Sequence, residues 1–208
     1  MIFNPETLNN QDRYKIITGS IVPRPIAWVS SMDGAGRLNL APFSYFTAVC
    51  TNPMTLIFCP GWSGLRGRMK DTLYNVRETG EFVINIVDET TKEAMNLSAT
   101  EFEAGISEFE WASVTPAHSQ IVTVPRVAEA PVAFECKLQQ IVSVHEGPGG
   151  GAAVFGEVVS IYVREDVVEN GRILPEKLQP IGRLAGGTYA HINDFFVMDR
   201  VPPPGEEE

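Results

Sequence analysis

The chain has 208 residues, 44% of them apolar and 20% charged, enough for one domain with a sizeable buried core. Its net charge of −10, with no Lys/Arg cluster, makes phosphate backbones and anionic membrane surfaces poor partners, so neither nucleic acid nor membrane is expected. No apolar run approaches the ~20 residues that a membrane span needs.

The N-terminus, "MIFNPETLNNQDRYK", lacks a basic-then-apolar leader pattern, which sets the expectation of a cytoplasmic protein. The first predicted strand, Ile26–Ser31, ends in "SMDGAGR", where Asp33-Gly34 and Gly36 supply hairpin-turn chemistry. Leu38–Cys50 and Thr55–Cys59 follow as strands, separated by the turn "TNPM". Beyond the loop "PGWSGLRGRM", the stretch "KDTLYNVRETGEF" reads as a helix from both ends. Asp71 or Thr72 can cap it, Leu73 and Val76 share a face, and Gly80 stops it. Phe82–Val87 is a strand, and Asp88 is placed to cap a second helix through "ETTKEAMNLS".

Residues 99–125 are mixed, with a short helical stretch at "ISEFEWAS". "PVAFECKLQQIVSV" then alternates, with Val132, Phe134, Cys136 and Leu138 inward and Ala133, Glu135, Lys137 and Gln139 outward. "GPGGGAA" is a flexible turn into the strand "VFGEVVSIYV". Residues 1–198 form a single domain in this reading, and the acidic tail 199–208, ending "VPPPGEEE", is expected to be disordered. Roughly six or seven strands with few short helices indicate a mainly β fold, a closed antiparallel barrel with helical decorations. A βαβ architecture fits worse, because no helix separates the first strands.

Several familiar chemistries are absent. Cys50, Cys59 and Cys136 are unpaired in number and form no CxxC, which fits reduced thiols. His118, His145 and His191 are too scattered for a zinc site, and no metal is expected. "GWSG" has Leu65 where a nucleophile elbow needs glycine, and "GPGGG" lacks the Lys-Ser/Thr of a phosphate-binding loop. Glu101 and Glu103 read as solvated surface.

Two features remain. "NLAPFSYFTAVC" mixes Pro42, Ser44 and Thr47 with aromatics and does not alternate cleanly. Pro42 cannot donate to a ladder, so it marks a bulge or a departure from the neighbouring strand. The amides of Ser44, Tyr45, Phe46 and Thr47 then either serve an aromatic-packed edge or face a flat, heteroatom-rich ligand. The second feature is "RMKDT", where a helix start with Arg68, Lys70 and Thr72 either is simply capped or holds a phosphate. Together they suit a ligand with a ring system at one end and a phosphate at the other.

"PRPIAWVSSMDGAGRLNLAPFSYFTAVCTNPM", "KDTLYNVRETGEFVINIV" and "IGRLAGGTY", in that order, resemble the flavin reductase-like, FMN-binding split-barrel family. The branch most similar is the reductase component of nitrilotriacetate monooxygenase, and the likeness runs from about residue 14 to residue 195. The resemblance implies a six-stranded Greek-key split β-barrel that forms a homodimer and holds FMN near the subunit interface, with FAD as the alternative flavin. It implies that the segment Ser44, Tyr45, Phe46, Thr47 runs along the isoalloxazine with Ser30 nearby. It further implies that Lys70, Asp71 and Thr72 hold the phosphate end and that Arg183 closes over the pocket.

The implied activity is an NAD(P)H-dependent flavin oxidoreductase, with NAD(P)H as co-substrate and a monooxygenase as partner; no side chain is assigned as catalytic. The alternative is an FMN-binding electron carrier without a nicotinamide site. It is motivated by departures from the family pattern: "EGPGGGAA" stands where relatives carry Gly-Asp-His, with His145 just before it. Pro53-Met54 replaces a Pro-Pro, and Cys50 stands where serine is common.

Overall fold

The computed structural model describes residues 1–63, 67–102 and 107–201; Glu103 and the tail beyond 201 lie outside them. The core is a seven-stranded, wholly antiparallel sheet. In chain order its strands are β1 (Ala27–Met32), β2 (Leu38–Phe43), β3 (Phe46–Thr51), β4 (Met54–Phe58), β5 (Glu81–Ile86), β6 (Val132–His145) and β7 (Gly151–Val163). They lie side by side in the order β2-β1-β5-β6-β7-β4-β3.

That order explains the barrel and its opening. β2 and β3 occupy opposite edges of the sheet, yet only Ser44 and Tyr45 separate them in the chain. A two-residue link forces the two edges together at that corner, so the sheet rolls up. No ladder joins β2 to β3, and the barrel stays split along that seam. The sheet has seven strands, within the six or seven expected, and the predicted strand Leu38–Cys50 is two strands meeting at a bend.

The break does not fall at Pro42. The β1–β2 register runs on through Trp28↔Pro42 to Ala27↔Phe43. The Leu40 N–H points away from β1 and donates to the Glu108 carboxylate at 3.1 Å. Backbone direction repeats every second residue, so Pro42 turns its donorless nitrogen to the same open edge, where the ladder does not need it.

Among the described residues three buried clusters form the interior, the smallest joining Val83 and Ala133 to Val122 and Val124, and two of them are large. One packs Val29, Phe58, Leu73, Val76, Phe82 and Ile84 between the sheet and helix α2 (Asp71–Thr79). The other packs Trp28, Leu40, Met95, Phe109 and Val127 beneath helices α3 (Lys92–Leu97) and α4 (Glu108–Trp111). Gly80 ends α2 in the left-handed conformation (φ 70°), as its position suggested. Lys70, not Asp71 or Thr72, is the N-cap, and it makes no side-chain cap bond. Asp88 caps the turn ahead of α3 rather than the helix itself, accepting from the Thr90 and Thr91 amides. An unexpected further helix, α1 (Asn10–Ser20), lies ahead of β1; of its residues only Thr18 is buried.

The alternation in β6 holds only in part. Ala133 and Glu135, expected outside, are buried, because residues 116–127 fold over that face. Glu135 accepts amide hydrogens from Gln120, Ile121 and Val122 at 2.7, 2.7 and 3.1 Å. Burial pushes its carboxyl up, but those three bonds and one from the Ser160 side chain outweigh it and hold Glu135 below the ordinary carboxylate range. Among the described residues no helix is long and apolar enough to cross a membrane.

Candidate functional site

The open edge of β2 forms one wall of a cleft. Facing it are Ser63, the start of α2 at Lys70, Asp71 and Thr72, and the segment 98–102. A second hollow lies around Tyr14, Ser44, Met95, Arg183 and Tyr189. Pro42 and Ala99 line both, so the two hollows adjoin, and they are taken together as one groove. Thr72 marks one end, where its hydroxyl accepts from Asn39 Nδ2 at 3.0 Å, and Ser44 marks the other. Five residues of extended chain from Asn39 to Ser44 put the ends roughly 17 Å apart. The groove therefore suits an elongated ligand.

At the α2 end the helix start carries no side-chain cap. Lys70 Nζ is bonded to the Glu101 carboxylate, and Ser63 Oγ donates to the same carboxylate at 2.7 Å. Asp71 pairs with Arg68. Among the described lining residues the acidic ones are Asp71, Glu101 and Glu108, and Lys70 is the single cation. Glu101 is thus no solvated surface residue: its side chain is three-quarters buried against Lys70. Its segment shows no periodicity that would have revealed this.

The other end is built around Arg24, a residue that sequence reasoning did not single out. It is only 5% exposed, and no carboxylate partners it among the described residues. It donates to the carbonyls of Thr18 (2.7 Å), Ile21 (2.9 Å) and Leu184 (3.0 Å) and to Ser44 Oγ (3.3 Å). Its guanidinium carbon stands 5.9 Å from the centre of the Tyr45 ring. One side chain therefore ties the end of the first helix, the β2–β3 bend and the chain beyond Arg183 into a single corner. The only signal for it was the "PRP" of the first motif, since composition argues against a buried arginine.

Arg183 reaches the same hollow. Its backbone pairs with that of Arg24 at 2.9 Å in both directions, and its guanidinium bonds to the Tyr189 hydroxyl and the Gly186 carbonyl. Among the described residues, the Ser44 and Tyr45 N–H groups have no acceptor, although the Tyr45 carbonyl accepts from Cys59 at 2.9 Å. By the alternation that turned Leu40 and Pro42 outward, the Ser44 N–H points into the groove. Burial pushes the Tyr45 phenol and the Cys59 thiol above their usual ranges, so both stay protonated near neutrality.

The remaining candidates sit differently. Phe46 and Thr47 already stand in the β3–β4 register, opposite Phe58 and Ile57, so they are less available than the bend before them. Ser30 is fully buried in β1; it donates to the Pro125 carbonyl at 2.7 Å and lines neither hollow. Lys70, Asp71 and Thr72 come together at one end of the groove, and Ser44 and Arg183 at the other. Asn39 and Glu108 join the site without having been foreseen.

The model of the flavin reductase like domain matches residues 19–181. The chain is similar in structure to nitrilotriacetate monooxygenase component B from Bacillus cereus: TM-score 0.90, 38% identity, covering 95% of this chain and 98% of that one. It is similar to 2-nitrobenzoate 2-nitroreductase from Pseudomonas fluorescens, with TM-score 0.87 and 34% identity, covering 99% and 100% of the two chains. An uncharacterized protein of Aquifex aeolicus is 42% identical over 177 residues, 85% of this chain and 88% of its own.

Proposed function

This chain belongs to the flavin reductase like domain family, and we propose that it is an NAD(P)H-dependent flavin oxidoreductase using FMN. The observation that carries the reading is the groove itself. A helix start with Lys70 and Thr72 lies at one end, and a bend with two acceptor-free amides lies at the other. The donor set fits FMN: Lys70, the Thr72 hydroxyl and the uncapped α2 start suit its phosphate, and the Ser44 and Tyr45 amides suit acceptors on a ring edge.

Held there by Lys70, Thr72 and the bend amides, FMN would supply the hydride and electron-transfer chemistry between a nicotinamide and an acceptor. The protein's own part is positional. Arg24 fixes the Ser44 side chain and so the direction of the bend, Asn39 orients Thr72, and Pro42 and Tyr189 wall the ring end against water. No side chain in the groove is needed as an acid or base. In the same proposal the chain acts as a homodimer and supplies reduced flavin to a partner monooxygenase. One similar structure bears the name of a monooxygenase component, which supports a monooxygenase as the receiving partner.

The test is anaerobic: the FMN-loaded protein is mixed with NADH or NADPH and the flavin absorbance near 450 nm is followed. Bleaching by either nucleotide supports the proposal. If dithionite bleaches the flavin and neither nucleotide does, the second reading, an FMN-binding electron carrier, takes its place. That reading is favoured by the position of His145, which is exposed at the β6–β7 hairpin and lines neither hollow.

A further inference from the structure

The end of the groove assigned to the flavin phosphate is already occupied by a negative charge of the protein's own. Lys70, its single described cation, is bonded to Glu101, and Glu101 is further held by Ser63 Oγ at 2.7 Å. Asp71 pairs with Arg68, and the Glu108 carboxylate accepts from the Leu40 amide. A dianionic phosphate brought to Lys70 meets Glu101 at contact range, where like charges near a protein surface repel strongly. Both anions want the same ammonium, and the Thr72 hydroxyl and helix start beside it serve the phosphate only once Glu101 has yielded.

We infer that Glu101 competes with the flavin phosphate for Lys70, and so acts as a specificity-determining residue that weakens FMN relative to phosphate-free flavin and keeps the nucleotide exchangeable. The inference rests on the reading that FMN binds with its phosphate at Lys70. It assigns Glu101 no contact with the ring and no part in hydride transfer. Removing its charge while keeping its shape releases Lys70 to the phosphate and leaves the far end of the groove untouched.

The experiment titrates FMN and riboflavin, the same ring without the phosphate, into wild type and Glu101→Gln, with quenching of flavin fluorescence as the readout. About tenfold tighter FMN binding in the variant is expected, with riboflavin affinity unchanged within about twofold. Retained riboflavin binding reports an intact groove, and Glu101→Ala provides a second variant with the same expected direction. FMN affinity that stays the same or falls, or a gain shared equally by riboflavin, overturns the inference. If wild type binds FMN no more tightly than riboflavin and Lys70→Met changes neither, the phosphate is not at Lys70 and the underlying reading falls with it.

Discussion

Replacing Glu135 by Gln removes one oxygen's charge and nothing of its size, which makes it a direct test of how the outer face of β6 is held. In the wild type, Oε1 accepts from the Gln120 amide at 2.7 Å, and Oε2 accepts from Ile121 at 2.7 Å and Val122 at 3.1 Å. A glutamine keeps its oxygen for the pair and then sets an NH2 group against the Gln120 N–H. Loss of one bond to a charged acceptor costs about 1.5–3 kcal/mol, and the two that survive fall to roughly half strength. The expected loss is about 3 kcal/mol at neutral pH, from a site that is 2% exposed.

The pH dependence has a definite sign. Glu135 is held below its ordinary value of 4.5, so its contribution is present above that pH and is lost as pH falls through the lower folded value. Urea unfolding from neutral pH downward should show the gap between wild type and variant constant until about pH 4.5 and narrowing below it. A gap under about 1 kcal/mol at neutral pH, or one that does not narrow in acid, refutes the account of residues 116–127 as clamped by this carboxylate.

Two other variants probe the ends of the groove. Lys70→Met combined with Thr72→Val should weaken FMN by about 1–3 kcal/mol and leave riboflavin alone, measured by fluorescence titration; unchanged FMN affinity places the phosphate elsewhere. Arg24→Met strands the carbonyls of Thr18, Ile21 and Leu184 without their donor, for an expected loss of about 2–4 kcal/mol in urea unfolding, and it should also weaken riboflavin by freeing the Ser44 bend. A variant as stable as wild type would remove Arg24 from the account of that corner.

What could be read from the residues alone was whatever had a local cause. Gly80 ends α2 because a left-handed residue is needed there and glycine takes that conformation without strain. The hairpin at Asp33 formed where its turn residues lie, with the Asp33 carboxylate accepting from the Ala35 and Arg37 amides. What stayed hidden had causes distant in the chain. Glu135 looks like an outward residue because its three donors come from a loop that no periodicity announces. The helix Asn10–Ser20 buries only Thr18, so no apolar stripe betrays it. Glu101 meets Lys70 across 31 residues of chain, and Arg24 meets Leu184 across 160.

The opening in the barrel and the irregularity of "NLAPFSYF" are the same fact seen at two scales. A strand with partners on both sides has no use for a proline and no spare amides, whereas β2 has a partner on one side only. Along its free edge the backbone turns outward at Leu40, Pro42 and Ser44 in succession. The first is satisfied by Glu108, the second has no hydrogen to satisfy, and the third has no acceptor among the described residues. Exposed strand edges invite pairing with other chains, and proteins cover them or interrupt them. Here the edge is covered at one point by a carboxylate and blunted at the next by a proline. The donor that remains lies in a groove, at the corner Arg24 holds rigid, where a ligand rather than another strand can take it up.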